Sequence, residues 1–312
     1  MPSSTSKKEW TIHYHGGKDS FPVIKGRAEF LRLMLEDAKA DYEVTNEDLY
    51  GPTGMMDCFR GSGAAVLDQQ ANAKFPNPVF FPPVLWHRPK NDEDVFINQV
   101  GACCMYLGEQ LGYAPSTSKE RALTDMITLN ALDYISEGRA SFHPVNNTAS
   151  YSDQKEEGDK GSLEFTKTRM PIWLAHFSKV VALHGKNAPV AGGPNITYAD
   201  FCLFQVLDAT IAQFNNAKYN FVWDNHEPKI DELKEYHKWM ASRPNLQAYF
   251  ASDRVPRKLF VGTKCFVVVV SFEKDIQIDW IVRKMPFWKS FLIFSYGCFL
   301  PTLQAYAGDS MM

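Results

Sequence analysis

The first side chains that could do chemistry are Tyr14 and its two histidine neighbours, in the segment His13-Tyr14-His15. The segment ends a run rich in β-forming residues, so His13 and His15 would share one face of a strand. Such a pair supplies only two metal ligands, and no third ligand lies nearby in the sequence. The sequence therefore predicts no metal site here, and the Tyr14 hydroxyl is the candidate hydrogen-bond donor.

Cys103 and Cys104 are a second group of reactive side chains. Adjacent cysteines neither match a metal-ligand spacing nor form an easy disulfide, so we expect both to face a helix core. The sequence contains no phosphate-binding loop, no GxGxxG element and no GxSxG element. The motifs therefore indicate neither a nucleotide site nor a serine-hydrolase site.

Length, composition and charge exclude several broad classes of protein. The chain has 312 residues, 45% of them hydrophobic and 13% aromatic, which excludes disorder over most of its length. Its 33 lysines and arginines against 36 aspartates and glutamates give a net charge of −3, which argues against a dedicated binder of nucleic acid or of anionic membranes. The first ten residues hold no apolar run, and six cysteines make no disulfide framework, so we expect a cytoplasmic protein.

The hydrophobic pattern of the first third of the chain predicts alternating strands and helices. The predicted elements are a strand at 10–14, a helix at 25–40, a strand at 41–44, an edge strand or a turn entering one at 79–86, and a helix at 99–111. Residues 50–78 are rich in Gly, Pro, Asn and Gln, which indicates an irregular insertion. Two prolines inside 79–86 would remove ladder donors, which is why an edge position is predicted there.

Beyond a short linker at 114–118, the pattern is helical as far as residue 257. The predicted elements are a helix at 119–139, a polar, acidic loop at 144–161, a helix at 163–186 with a kink at Pro171, a helix capped by Thr197 and Asp200, and a last helix opened by Arg243-Pro244-Asn245. The order predicts an α/β domain followed by an all-α domain.

These elements and motifs together resemble the cytosolic glutathione transferases, most closely the tyrosine-type classes sigma, pi, mu and alpha. The matching pieces are Tyr14 at the end of the first strand, Gly26-Arg27 opening the first helix, Pro83-Val84-Leu85 at the cis-proline turn, Gln99 opening the third helix, the capping segment Ile196 to Asp200, and Arg243-Pro244-Asn245-Leu246. The resemblance covers roughly residues 10–257. It implies a thioredoxin-like glutathione-binding domain at 10–115 and an all-helical domain at 117–257.

The resemblance implies that glutathione is the co-substrate and that no other cofactor is needed. Glutathione attacks as its thiolate, yet a free thiol with a pKa near ~8.5 is mostly protonated at neutral pH. Tyr14 would be the catalytic residue, donating a hydrogen bond that favours the thiolate. The second substrate would be a small hydrophobic electrophile in a cleft lined in part by the long helix near Asp133 and Tyr134. The family context implies detoxification, glutathione metabolism and a homodimer.

The residues that the resemblance assigns to glutathione binding lie in both domains. They are Arg27, Pro82, Pro83, Gln99, Val100 and Asp133. Gln99 would hold the γ-glutamyl carboxylate beside the N–H groups of a helix N-terminus. Arg27 matches a family position near the glutamyl end of the peptide, and Asp133 would reach the glutamyl amine across a dimer interface. The family usually has Ser at the position of Val100, so one side-chain donor is missing here.

The cis-proline turn has two possible registers. If Pro83 is cis, the preceding residue is Pro82, which offers a carbonyl to glutathione but no N–H. If Pro82 is cis, Phe81 offers both groups but the strand shifts by one residue. The Val-Leu that follows Pro83 favours the first register.

Two other functions remain open. One is a glutathione-dependent isomerase of the prostaglandin-synthase type, which would use the same thiolate differently. The other is a non-catalytic binding protein that resembles a glutathione transferase. Val100, Pro82 and the insertions after Tyr14 and Tyr50 favour the binding protein.

Residues 258–312 depart from the family pattern. They contain the strand-like run Phe266 to Val270 and an apolar stretch from Phe291 to Ala307 that is interrupted by Gly297 and Pro301. Three interpretations are translated non-coding sequence, which we favour, an extension that packs on the helical domain, and a marginal membrane contact through residues 287–307.

Overall fold

The computed structural model describes residues 8–14, 25–45, 82–147, 149–225 and 230–256. The predicted insertion at 50–78 and the tail at 258–312 lie outside the described residues.

The amino-terminal part is built on a four-stranded mixed sheet. Its strands are β1 (Trp10–His13), β2 (Tyr42–Thr45), β3 (Val84–His87) and β4 (Val95–Asn98), in the order β2-β1-β3-β4. Strand β1 is parallel to β2 and antiparallel to β3, and β3 is antiparallel to β4. Ile12 stands opposite both Val44 and Leu85, so the middle of β1 lies in the buried centre of the sheet.

The position predicted for the third strand is wrong. Strand β3 is an interior strand of the described sheet, because it pairs with β1 on one side and with β4 on the other. Pro82 and Pro83 precede the strand, which begins at Val84. No ladder N–H is therefore lost to proline, and the edge position that two prolines favour is not required.

Two helices complete this part. Helix α1 (Glu29–Asp37) follows a 3-10 turn at Gly26–Ala28, and helix α2 (Val100–Leu111) follows β4. The helices pack against each other, and their apolar faces join the core with β1 and β3. The core side chains of this part include Trp10, Ile12, Leu31, Met34, Leu35, Leu85, Cys103, Cys104 and Leu107. The prediction that both adjacent cysteines are buried in a helix core is confirmed.

The second part consists of helices. They are α3 (Ser118–Phe142), α4 (Lys155–His184), α5 (Tyr198–Phe214), α6 (Asp231–Ala241) and α7 (Pro244–Phe250). Helix α5 is the buried centre, and α3 packs against both α4 and α5. The architecture is a thioredoxin-like domain followed by an all-helical domain, which confirms the predicted fold class.

The acidic loop predicted at 144–161 is partly wrong. A 3-10 turn spans Tyr151–Gln154, and α4 begins at Lys155 and continues through Pro171. Ser150 and Asp153 form a capping box at the start of the turn. Four residues apart, Lys155 and Asp159 form an ion pair of 2.6 Å that supports the first turn of the helix. The segment is therefore helical despite its polarity.

Asp200 anchors the start of α5, as the capping pattern predicts. Its carboxylate accepts the backbone N–H groups of Thr197 and Val190, both at 2.7 Å, and the Tyr236 hydroxyl at 2.9 Å. Burial raises the pKa of this carboxyl, and the two N–H groups oppose the increase. The side chain therefore links a helix start, a loop and α6.

Replacing Asp200 by alanine is expected to lower the free energy of unfolding by at least about 2 kcal/mol, because buried donors lose their acceptor. Urea unfolding followed by circular dichroism measures this loss. The matched control is Asp253→Ala, at an exposed position near the end of the described chain. Equal stability of the two variants would contradict the anchoring role.

Three carboxylates of α1 tie the two parts together. Asp37 accepts two hydrogen bonds from Arg243, at 2.8 and 2.7 Å, and Glu36 accepts two from Arg254, at 2.9 and 2.7 Å. The Tyr249 hydroxyl donates to Glu29 at 3.0 Å. These bonds fix helix α1 against the carboxyl-terminal end of the helical part. They therefore also hold the Gly26–Ala28 turn that precedes α1.

Candidate functional site

The Tyr14 side chain is held by its own strand and by the turn before α1. Its backbone N–H donates to the Thr45 carbonyl at 2.8 Å, and its hydroxyl oxygen accepts the Arg27 backbone N–H at 3.0 Å. Gly26 has a φ of +47°, and a Cβ there would lie 2.3 Å from the Tyr14 hydroxyl oxygen. Only glycine fits this contact, so Gly26-Arg27 forms a closely fitted support for the phenol.

The electrostatics around Tyr14 keep its phenol protonated. Burial raises the pKa of the Tyr14 hydroxyl, and the Arg27 N–H together with the charges of Arg27, Arg32 and Arg139 opposes that increase. A phenol that accepts one hydrogen bond can donate another. The group therefore suits the role of a hydrogen-bond donor in a positive field rather than that of a base.

Arg27 connects this turn to the helical part. Its guanidinium donates to the Ser136 hydroxyl on α3 at 2.8 Å. Burial lowers the pKa of Arg27, and the positive charge of Arg139 lowers it further. The structure thus places Arg27 between Tyr14 and α3; its predicted contact with the glutamyl end of glutathione stays a prediction.

Arg139 belongs to the same neighbourhood and was not among the residues found by sequence reasoning. It lies three residues after Ser136, on the same side of α3, and its guanidinium donates to the Asn147 carbonyl at 2.7 Å. Burial lowers its pKa, and Tyr14 opposes this effect. The three-residue spacing from Ser136 is the only sequence signal, and it has meaning only once Arg27 is known to reach Ser136.

The cis-proline turn lies beside the end of β1. The cis peptide bond is Pro82–Pro83, which is the register favoured by the sequence. Val84, the next residue, pairs with His13, the residue before Tyr14. Pro82 is therefore near the tyrosine in the sheet register, and its backbone has a carbonyl but no N–H.

Gln99 and Val100 stand at the amino terminus of α2. Gln99 is exposed and has a φ of +75°, a conformation that is costly for a non-glycine residue and that is concentrated at functional sites. It follows Asn98, which pairs with Val84 in the sheet, so it is close to the cis-proline turn. The Val100 side chain is buried in the core, and this residue can offer a ligand only its backbone.

Two residues of α3 differ in their surroundings. Asp133 is exposed, away from any described hydrogen-bond or ion-pair partner. Tyr134 is buried, and its hydroxyl is within 2.7 Å of the Thr210 hydroxyl. The expectation that Tyr134 lines an open cleft is therefore wrong. Its ring fills the helical core, because Tyr134 is on the side of α3 that packs against α5, whereas Asp133 is on the exposed side.

Within the described ranges, no group of three His, Cys, Asp or Glu side chains could hold a metal ion. Among those same residues, every helix is too short or too polar to cross a membrane.

Comparisons with known proteins point to one family. The family model described as "Glutathione S-transferase, C-terminal domain" matches residues 140–253. Glutathione S-transferase P of Caenorhabditis elegans is 25% identical over 228 residues, covering 72% of this chain and 88% of that protein. Glutathione S-transferase 2 of Onchocerca volvulus is 28% identical over 159 residues, covering 51% of this chain and 66% of that protein.

Solved structures share the fold. The pi-class glutathione S-transferase of Onchocerca volvulus superimposes with a TM-score of 0.53 at 21% identity, over 78% of this chain and 92% of that one. The sigma-class enzyme of Fasciola hepatica gives a TM-score of 0.53 at 20% identity, over 78% and 96% of the two chains. Residues 140–253 thus match the glutathione S-transferase C-terminal domain, and both parts of the chain share the fold of glutathione S-transferases.

Proposed function

We propose that the chain is a glutathione transferase that conjugates glutathione to small hydrophobic electrophiles, in detoxification and glutathione metabolism in the cytoplasm. The observation that carries the proposal is the Tyr14 phenol at the end of β1, supported by the Arg27 N–H at 3.0 Å. In the reaction, a new bond forms between the thiolate sulfur and the electrophilic carbon. The thiol proton passes to solvent, and in a substitution the leaving group departs with its electron pair.

Tyr14 would act by donating a hydrogen bond to the sulfur. A donor to the anion lowers the pKa of the bound thiol and fixes its position. The raised pKa of the phenol supports this role, because the hydroxyl keeps its proton at neutral pH. The positive charge of Arg27 adds to the stabilisation of a nearby thiolate.

Glutathione itself would lie along the cis-proline turn and the start of α2. The Pro82 carbonyl would accept the N–H of the cysteinyl unit. Gln99 and the first N–H groups of α2 would hold the γ-glutamyl carboxylate. Arg27 is near the same end of the peptide in the family pattern, and Asp133 would meet the glutamyl amine of a neighbouring subunit.

A homodimer accompanies this proposal. Leu123, Met126 and Leu129 follow one another at three-residue spacing on α3 and are 38%, 47% and 50% exposed. Asp133 continues the same face one turn later. An apolar stripe next to a predicted interface residue is well suited to burial against a second copy of the chain.

The double substitution Met126→Glu and Leu129→Glu is expected to convert the dimer into a monomer, because two charges would enter a desolvated face. Size-exclusion chromatography with light scattering measures the mass of each variant. Leu183→Glu is the matched control, at a 77% exposed position near the end of α4, and should remain dimeric. A dimer that survives the double substitution would place the interface elsewhere.

The function is tested by incubating the full chain with glutathione and a generic aromatic electrophile such as 1-chloro-2,4-dinitrobenzene, and by measuring the S-conjugate. Conjugate formed faster than in the buffer control supports the proposal. Retention on immobilised glutathione without turnover would instead support a non-catalytic binding protein. That second candidate is favoured by the Val100 side chain, which is buried and has no hydroxyl, and by Pro82, which lacks an N–H.

A further inference from the structure

Two arginines next to Tyr14 have no acidic partner among the described residues. Neither Arg27 nor Arg139 forms an ion pair within the ranges that the structure describes; their guanidinium groups contact the Ser136 hydroxyl and the Asn147 carbonyl. Arg243, also partly buried, is paired with Asp37 at 2.7 Å. The positive charges of Arg27 and Arg139 repel each other where water is partly excluded, so a bound anion would stabilise both.

The Arg27 and Arg139 charges both lie near the Tyr14 hydroxyl. The Tyr14 hydroxyl accepts the Arg27 backbone N–H, and the Arg27 guanidinium reaches Ser136 on α3. Arg139 lies one turn further along the same side of α3 and is close enough to Tyr14 and Arg27 to interact with both electrostatically. The two arginines therefore lie on different elements and both act on the Tyr14 hydroxyl.

The charged and titratable groups that the structure describes near Arg139 do not neutralise it. Glu137 on α3 is held by Arg169 of α4, at 2.8 and 2.9 Å. Burial and the charge of Arg139 lower the pKa of His143, so that imidazole is neutral at pH 7 and adds no charge of its own. The Arg139 guanidinium has five N–H donors, and among the described residues only the Asn147 carbonyl accepts a hydrogen bond from it.

We propose that the electrophile preferred by this chain carries a carboxylate, and that Arg139 is the residue that selects it. The inference rests on the proposed transferase function and adds the substrate class. The thiolate supplies one anion near Tyr14. A carboxylate on the second substrate supplies the other, and the Arg139 guanidinium, most of whose donors have no acceptor among the described residues, binds it in the forked geometry that arginine favours.

The test uses two probes of one ring chemistry, 4-chloro-3,5-dinitrobenzoate and its methyl ester, each rate being compared with its uncatalysed rate. The full chain is expected to favour the carboxylate at least about tenfold in kcat/KM. Arg139→Gln should lower kcat/KM for the carboxylate about tenfold to hundredfold, as the loss of hydrogen bonds to a charged group predicts, and leave the ester within about threefold. Arg139→Lys should restore part of the preference. Arg121→Gln, at a partly exposed arginine paired with Glu109, should change neither probe.

Equilibrium binding separates failure of this inference from failure of the proposed function. The dissociation constants of the two ready-made glutathione conjugates, carboxylate and ester, are measured by calorimetry for the full chain and for Arg139→Gln. Binding of both conjugates with equal affinity, unchanged in the variant, overturns the inference and leaves the transferase proposal standing. An increase in the KM for glutathione with both probes also overturns it, since Arg139 would then hold glutathione. Absence of binding and of turnover with either probe overturns both proposals.

Discussion

Replacing Tyr14 by phenylalanine is expected to lower kcat for conjugation about tenfold to hundredfold, the cost of one hydrogen bond to a charged group. The ring stays in its buried place beneath Gly26, so the fold should be kept. Only the hydroxyl is removed, and with it the acceptor of the Arg27 N–H and the proposed donor to the sulfur. The measurement is the initial rate of conjugate formation at saturating glutathione.

The pH dependence gives a second readout of the same substitution. The Tyr14 phenol stays protonated across the neutral range because burial raises its pKa, so the rate should follow ionisation of the bound thiol alone. The rate of the unmodified chain is expected to fall as pH drops through a thiol pKa below the free value of about 8.5. In Tyr14→Phe this midpoint should move up towards the free value, because the anion has lost a donor.

Tyr106→Phe is the matched control for Tyr14→Phe. Tyr106 also has a hydroxyl in a hydrogen bond, to the His87 ring at 2.8 Å, but it belongs to α2 and meets the Trp10 ring edge-on. The conjugation rate and the pH midpoint of Tyr106→Phe should match those of the unmodified chain. Equal rates in both phenylalanine variants would show that the thiolate is stabilised by another group.

Local signals explain which elements could be predicted from the sequence. Thr197 and Asp200 mark the start of α5 within a few residues, and the β-forming residues before Tyr14 mark strand β1, which ends at His13. The start of α4 could not be found in this way, because its first turns are polar and gain support from the Lys155–Asp159 pair rather than from an apolar stripe. Hydrophobic periodicity detects helices that bury one face, and it misses a solvated first turn.

The candidate site was only partly predictable for a different reason. Tyr14, Gly26 and Arg27 are near one another along the chain and match a family motif, so they could be assigned together. Arg139 joins them through a tertiary contact, the reach of Arg27 to Ser136, over a separation of 109 residues. No pattern within a short window contains that information. The same limit explains why Tyr134 was assigned to a cleft although it packs in the core.

Replacing Glu29 by alanine is expected to lower the free energy of unfolding by about 3–5 kcal/mol. The Glu29 carboxylate is fully buried; it accepts a hydrogen bond from Arg32 at 3.1 Å and another from the Tyr249 hydroxyl of α7 at 3.0 Å. Alanine would leave the buried charge of Arg32 without this carboxylate and would cut one tie between α1 and α7. Chemical unfolding of the full chain, followed by tryptophan fluorescence, measures the loss.

The contrast with a surface pair makes this prediction specific. Glu109 pairs with Arg121 at 2.6 Å, but both side chains are largely exposed, so Glu109→Ala should cost less than about 1 kcal/mol. The Glu109–Arg121 pair is shorter than the Glu29–Arg32 pair, yet its loss should destabilise the fold less. Solvent screens the charges of the surface pair and hydrates the partner that remains. Since α1 begins directly after the Gly26-Arg27 turn, Glu29→Ala should also loosen the support of Tyr14 and reduce conjugation at temperatures where the variant is still folded. Equal destabilisation by the two substitutions would mean that the Glu29 pair is not the buried tie between α1 and α7 that its geometry indicates.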